Sequence, residues 1–275
     1  MSFEALFAVS IVAGFVGAMA GMGGGVVLVP VLTFLGLPIK QVIAISIVSV
    51  IATSSGAASA YVRDHITNLK VGMFLEMFTM TGAIVGAAIT VASREQYLYL
   101  IFGLVLLVSW LAMWFQRAQE WAPVEAQDGF TRWLELAGGY YDAASRETVS
   151  YRARRAYIGG PMMFGAGLVA GMLGIGAGAL KVLVMDLVMG LPAKVSTTTS
   201  NLIIGVTGLA GASVYLAAGL IRPGLATPVI IGIVTGAFLG TRLLVRLHNR
   251  AIHLFFLSIL GVLAVEMLYR GIRGL

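Results

Sequence analysis

The amino-acid sequence predicts an all-α, polytopic membrane protein, and three observations support this fold class. Of its 275 residues, 59% are hydrophobic and only 11% are charged, whereas a soluble domain averages about 45–50% apolar and about 25% charged residues. The apolar residues fall into long runs without a persistent strand-like alternation. The two halves of the chain also resemble each other. Because lipid accepts apolar surface that water does not, one membrane domain accounts for nearly the whole chain.

Ten apolar runs predict ten helices. A hydrocarbon core about 30 Å thick needs about 20 apolar residues for each helical crossing. The second and seventh runs are shorter than this, so we expect them to be re-entrant or broken helices. The predicted helices span residues 3–20, 25–36, 42–61, 70–92, 97–115, 158–173, 178–190, 195–218, 225–244 and 252–270.

An internal repeat relates the two halves. Each half holds five apolar runs, and because five is odd, the second copy is predicted to be inverted in the membrane. Inverted repeats are a common transporter architecture, with the substrate site near the midplane where discontinuous helices meet. The matched segments are Gly17–Gly21 with Gly167–Gly171 at 150 residues, Gly21–Gly25 with Gly174–Gly178, Gly36–Pro38 with Gly190–Pro192 at 154, and Gly56–Tyr61 with Ala210–Tyr215 at 154.

The repeat divides the chain into a first transmembrane repeat (1–115), a charged linker (116–157) and a second transmembrane repeat (158–275). Most loop lysines and arginines fall on the linker side, which the positive-inside rule places in the cytoplasm. We therefore expect a multi-pass protein of the bacterial inner membrane with periplasmic termini. The first run lacks a basic n-region and is interpreted as a retained helix. The linker is interpreted as a solvated connector carrying an amphipathic helix, or as a docking site for a soluble partner.

Two glycine-rich turns precede the two short helices. Such turns bare backbone N–H groups, and a helix N-terminus carries about +0.5 charge, so together they can bind an anion without a basic side chain. The alternative is that these glycines only permit tight turns and close packing. The candidate substrate-binding glycines are Gly21, Gly23, Gly24 and Gly25 in the first half and Gly174, Gly176 and Gly178 in the second.

Hydroxyl and amide side chains mark the third helix of each half. Ser46 aligns with Ser200, which Thr199 and Asn201 flank. These side chains provide the hydrogen bonds that a weakly basic oxyanion requires. Ser and Thr can instead bond to their own helix. We include Ser46, Thr199, Ser200 and Asn201 among the candidate substrate ligands.

Lys181 lies inside an apolar run, where a lysine is costly and faces protein or water. It can bind the anion or neutralise Asp186, five residues later. At the 154-residue spacing its counterpart is Val27, so we expect an asymmetric site. Asp186 and Glu76 are the candidates for proton coupling, although the sequence favours a position of Glu76 near the membrane interface.

Several function classes are disfavoured. The chain has no cysteine, so it has no disulfide, thiolate metal site or haem-attachment motif. The three histidines lack metal-ligand spacing, and we predict no cofactor. A net charge of +6 is assigned to basic loops rather than to nucleic-acid binding. No nucleophile–base pair is recognisable, so we do not predict an enzyme; a homo-oligomer is left open.

The glycine block Gly21–Gly25 followed by Pro30, Gly36-Leu-Pro38, and their second copy with Thr199-Ser200-Asn201 resemble the TauE/SafE family of membrane transporters. The resemblance covers both halves but not the linker, and Ala177 interrupts the second glycine block. It implies a secondary carrier without an ATP site, for sulfite, sulfoacetate or other small organic anions. We therefore expect alternating-access transport of a small oxyanion; an anion channel is the alternative, and a membrane scaffold acting through its linker is a third.

Overall fold

The computed structural model describes residues 3–19, 24–63, 67–115, 127–142, 147–244 and 249–274. All ten predicted apolar helices are present, with ends within three residues of those predicted when the π-helical segment Val184–Val188 is counted with the seventh helix. The helices are α1 (Phe3–Met19), α2 (Gly25–Phe34), α3 (Ile39–Arg63), α4 (Leu69–Ala92), α5 (Glu95–Phe115), α6 (Gly129–Trp133), α7 (Ala156–Leu173), α8 (Gly178–Leu183), α9 (Ala193–Ala217), α10 (Pro223–Leu244) and α11 (Asn249–Arg273).

The predicted all-α polytopic fold class is confirmed. Within the described ranges, α4, α7 and α9 are long and apolar enough to cross a membrane, and shorter apolar stretches lie in α1, α2, α3, α5 and α10. As predicted, the second and seventh apolar runs form short helices. The ten-residue α2 carries Pro30, and the six-residue α8 continues as a π-helical segment, Val184–Val188.

The helices pack in a pattern that survives exchange of the two halves. The first helix of each half packs against the fourth helix of the other, as α1 with α10 and α7 with α4. The third helices pack against each other, as α3 with α9, and so do the fifth, as α5 with α11. Such a pattern is what a pseudo-two-fold relation between the halves predicts. Two bundles result, α1–α2–α3–α10 and α7–α8–α9–α4, and each borrows its fourth helix from the other half.

Close glycine contacts fix the register of the repeat. A methyl group on Gly14 would collide with the backbone of Ile233, and one on Gly167 with the backbone of Thr79. These pairs are equivalent when α1 and α7 are aligned 153 residues apart, so the 150-residue match of Gly17 with Gly167 is wrong. Small residues recur at several spacings in α1, so the sequence admits more than one register and only packing selects between them.

The π-helical segment accounts for a one-residue insertion in the second half. Equivalent residues are 153 apart before it, as for Gly25 and Gly178, and 154 apart after it, as for Gly36 and Gly190. A π turn spans one residue more than an α turn, and such turns are frequent at functional sites. Because Lys181 precedes the insertion, its counterpart is Leu28 rather than Val27.

The linker contains a hairpin that the sequence did not predict. Strands β1 (Ala137–Asp142) and β2 (Glu147–Arg152) pair antiparallel. Tyr151 is buried together with Met185 and Met189 at the end of the π-helical segment, so this part of the linker packs on the membrane domain rather than being a solvated connector. The amphipathic helix stays a prediction, because α6 has five residues and residues 116–126 lie outside the described ranges.

Polar contacts anchor the hairpin region to the helices. Asn68, the N-cap of α4, donates through Nδ2 to the Tyr151 hydroxyl at 3.0 Å. Asp128 accepts from the Thr131 hydroxyl at 2.6 Å and from the Arg155 backbone N–H at 2.7 Å. Burial alone would raise the pKa of Asp128, but these hydrogen bonds outweigh it and lower the pKa below its usual value. The hairpin region is therefore held at the ends of α4 and α7.

Candidate functional site

The two glycine turns meet beside the crossing of α3 and α9. A methyl group on Gly25 would lie 2.6 Å from Ser46 Oγ and 2.7 Å from the Gly174 carbonyl oxygen. Ser46 donates to that carbonyl at 2.8 Å and so joins α3 to the second turn. The described parts of the two turns, Gly24–Gly25 and Gly174–Gly178, therefore lie together, as the sequence predicted; Gly21 and Gly23 lie outside the described residues.

The carbonyl groups at the C-terminal end of α7 are satisfied by side chains from three helices. The last carbonyls of a helix have no partner within it. The Gly171 carbonyl accepts from the Tyr215 hydroxyl, and the Met172 carbonyl accepts from the Thr90 hydroxyl at 2.9 Å. With Ser46 on the Gly174 carbonyl, these bonds fix the end of α7. The turn that follows is thus held by α3, α4 and α9.

The second turn has left-handed backbone at three of its five residues. Gly174 and Gly176 have φ of +66° and +72°, which glycine adopts without strain. Ala177 also has a positive φ, +48°, which for an L-residue costs about 1–2 kcal/mol. Its counterpart Gly24 has φ of −64°. The two turns therefore differ in conformation at this position, where the second carries the strain.

Apolar side chains fill the space between the turns in this conformation. Val50 of α3 approaches Gly25 and Gly176, and Ile204 of α9 approaches Gly176 and Gly178. Val50 and Ile204 are themselves equivalent in the repeat, 154 residues apart. Beside the first turn of α8 lies a cavity of about 20 Å³, lined in part by Gly178 and Ser109. This volume suits about one water molecule, so a larger anion does not fit in this cavity.

The candidate hydroxyl and amide ligands point in different directions. Ser200 Oγ lies 3.4 Å from the Gly178 carbonyl oxygen, beside the second turn. Thr199 Oγ1 instead accepts from the backbone N–H of Asn68, at the start of α4. Asn201 donates to the carbonyl of Thr197 in its own helix. Consecutive residues on a helix are about 100° apart, so Ser46 and Ser200 join the glycine turns and the other two do not.

Lys181 is fully buried and belongs to a polar cluster between α8, α9 and α4. Its Nζ donates to Thr207 Oγ1 at 3.0 Å. Thr207 Oγ1 also lies 3.1 Å from Glu76 Oε1 and 3.1 Å from Thr79 Oγ1. Glu76 is the charged group that acts electrostatically on Lys181. Lys181 and Glu76 are therefore linked through Thr207, and Lys181 does not take the alternative role of a partner for Asp186, whose buried Oδ1 has no hydrogen-bond partner within the described residues.

Glu76 is partly enclosed by the surrounding helices. It is half-buried in α4, seven residues after the helix begins, which corresponds to about 10 Å along the axis. Asp186 lies elsewhere, close to Ser196, but the two side chains do not meet hydrogen-bond geometry. Of the two candidates for proton coupling, Glu76 is thus the one linked to Lys181.

The sequence reasoning missed Thr207 and Thr79. Both are essentially inaccessible to solvent, and they join the lysine to the glutamate. A signal was present in the spacing: Thr79 is three residues after Glu76, and Thr207 is seven after Ser200, so each shares a helix face with a candidate. Only the packing of α4 against α9, which crosses the repeat boundary, brings the two faces together.

Comparison with known proteins agrees with this architecture. Residues 6–267 match the model of the family described as sulfite exporter TauE/SafE. The probable membrane transporter protein YunE of Bacillus subtilis (strain 168) is 26% identical over 281 residues, which cover 99% of each chain. No solved structure matches the chain significantly.

Proposed function

Because the chain belongs to the sulfite exporter TauE/SafE family and is a multi-pass membrane transporter, we propose that it carries a small oxyanion, such as sulfite or a sulfonate, by alternating access. Members of this family are transporters rather than enzymes. The observation that carries the proposal is the convergence of the two glycine turns at the α3–α9 crossing, where Gly25 approaches Gly174. Both short helices begin there.

The first turns of α2 and α8 supply the anion site. Their N–H groups have no partner within their own helices and carry partial positive charge. Ser46 and Ser200 add hydroxyl groups from α3 and α9. Lys181, one turn into α8, adds a full positive charge. Such a set of donors suits a small oxyanion, which needs many hydrogen bonds and one compensating charge.

The moving bodies in this proposal are the two bundles rather than the two sequence halves. Val50 and Ile204 fill the space between the turns, so a shift of α3 against α9 is needed before an anion can enter. Rocking of one repeat unit against the other around a central site is the usual form of alternating access. With the linker in the cytoplasm, as the basic loops indicate, the termini face the periplasm of a bacterial inner membrane.

Uptake into proteoliposomes tests the proposal. Purified protein is reconstituted and supplied with labelled sulfite, sulfoacetate or taurine, with protein-free liposomes as the control. We expect saturable uptake of at least one of these compounds and accelerated exchange when the same compound is inside. No flux of any of them contradicts the substrate class. Flux that neither saturates nor shows exchange identifies an anion channel instead.

A further inference from the structure

We propose that Glu76 and Lys181 form a proton-coupling pair in which Lys181 binds the transported anion only when Glu76 has taken up a proton. The inference rests on the proposed function and names the coupling ion of that same site. The pair is joined through one hydroxyl group, because Thr207 Oγ1 lies 3.0 Å from Lys181 Nζ and 3.1 Å from Glu76 Oε1.

The fold contains an uncharged version of the same corner. The counterparts of Lys181, Glu76 and Thr79 in the repeat are Leu28, Ile230 and Ile233, and Leu28 and Ile233 are fully buried. The counterpart of Thr207 is Thr53, whose hydroxyl donates within its own helix. Replacing buried charges by well-packed apolar residues is often neutral or stabilising. Packing therefore does not require the charges of Lys181 and Glu76, and a functional role explains them.

Charge balance makes the pair a coupling device. In the empty site the ammonium of Lys181 balances the carboxylate of Glu76. When a proton enters on Glu76, the ammonium loses its counter-charge, and a monovalent anion can take its place. The empty and the fully loaded sites are both neutral, whereas the site with only the proton or only the anion carries a net charge. Uncompensated charge within a membrane protein is costly. The protein therefore changes between its outward-open and inward-open conformations only when the site is in one of its two neutral states.

The position of each group suits its role. Glu76 is half-buried and Lys181 is fully buried, so the carboxyl group is the less enclosed of the two. The elements around Glu76 contribute the titratable residues Tyr157 of α7, Asp186 of the π-helical segment, and Lys194 and Tyr215 of α9, besides Lys181. Of these, Lys181 is the charged group that acts on Glu76 in the described part of the chain. One proton is thus carried with one monovalent anion.

Glu76→Gln tests the coupling, because glutamine imitates the protonated carboxyl group and keeps an acceptor for Thr207. In proteoliposomes with labelled methanesulfonate, a monovalent sulfonate, we expect this variant to exchange anion across the membrane at all pH values. Accumulation driven by an inward proton gradient should fall about tenfold or more, a coupling loss within the usual range. Glu266→Gln is the matched control, since Glu266 pairs with Arg270 near the end of α11, and it should accumulate like the wild type.

Lys181→Met should abolish both exchange and accumulation, with Lys70→Met as its control, because Lys70 is exposed and pairs with Glu135. If Lys181→Met does not fold, the neutral double variant Glu76→Gln/Lys181→Met replaces it and should also lack exchange. Normal gradient-driven accumulation by Glu76→Gln, or full exchange without Lys181, overturns the inference. Absence of exchange in the wild-type protein would instead remove the proposed function.

Discussion

The short helix α2 and its counterpart α8 occupy equivalent corners of the fold, yet their surroundings differ in chemistry. Around α2, Leu28 packs in an apolar core. Around α8, Lys181 takes the place of Leu28. Its ammonium group donates to Thr207, which also contacts Glu76. The second corner also has the strained Ala177 and the π turn that absorbs one extra residue. The repeat thus supplies the scaffold twice, whereas in the described part of the chain Lys181 and Glu76 place charges at the α8 corner and not at the α2 corner.

The largest effect is expected when the residues of the α2 corner replace the charged residues of the α8 corner. Lys181→Leu leaves Glu76 without its cation. We expect a loss of about 2–3 kcal/mol in the free energy of unfolding. Removing one partner of a fully buried pair costs about 3–5 kcal/mol, and the loss here is smaller because Glu76 is partly exposed. Adding Glu76→Ile, which copies Ile230, should restore most of the stability. SDS titration in mixed micelles, followed by circular dichroism, measures both values; a double variant as unstable as the single one would show that the corners are not interchangeable.

The helix pairs outside the corners should behave alike in the two halves. Gly14 and Gly167 each face a backbone across a helix crossing, so alanine at either position forces the helices apart at a cost of about 1–3 kcal/mol. Gly165, in the same helix as Gly167, has open space around it. Gly165→Ala should therefore be neutral or stabilising by up to about 1 kcal/mol. Thermal melting of the three variants makes the test, and unequal losses at Gly14 and Gly167 would contradict the proposed register.

The equivalent residues Ser46 and Ser200 should contribute differently to the free energy of unfolding. Ser46 donates to the Gly174 carbonyl at 2.8 Å, whereas Ser200 lies 3.4 Å from the Gly178 carbonyl. Ser46→Ala leaves a buried carbonyl without its donor, at a cost of about 1–2 kcal/mol, and Ser200→Ala should cost less. The same SDS titration measures both, with Ser213→Ala as the control because Ser213 bonds within its own helix. A larger loss at Ser200 would reverse the assignment.

Relief of strain at Ala177 is the smallest expected effect. Glycine adopts the left-handed conformation freely, so Ala177→Gly should gain up to about 1 kcal/mol in the free energy of unfolding. At the counterpart, Gly24→Ala should give no such gain or loss of backbone strain, because Gly24 has φ of −64°. Melting temperatures compare the two variants, and a destabilised Ala177→Gly protein would argue against strain in this turn.

Most of the helical scaffold could be predicted, because each helix is a continuous apolar run and the short runs before Pro38 and Pro192 are interrupted by glycine. The meeting of Gly25 with Gly174 followed from the repeat. The hairpin could not be predicted: Val149 and Tyr151 alternate with polar residues, but over too few positions to stand out, and Gly138 and Gly139 weaken the partner strand. Burial against Met185 and Met189 decides that segment.

The link between Lys181 and Glu76 could not be predicted from the sequence, for a different reason. Lys181 and Glu76 were each recognisable as charged residues inside apolar runs, but their partners were not. Glu76 belongs to the first half and Thr207 to the second, and they meet because α4 packs with α7 and α9 rather than with its own half. Such exchange of helices between halves has no mark in the linear sequence. The one-residue shift caused by the π turn likewise concealed that Leu28 is the counterpart of Lys181.

Proton uptake on anion binding is the most direct test of whether Lys181 binds the anion only when Glu76 is protonated. Titration calorimetry of methanesulfonate, a monovalent sulfonate, into the purified protein, in two buffers with different ionisation enthalpies, gives the number of protons bound with each anion. A sulfonate does not itself titrate near neutral pH. We expect net proton uptake when the anion binds to the wild-type protein and no proton uptake when it binds to Glu76→Gln. Anion binding to the wild type without proton uptake would contradict it.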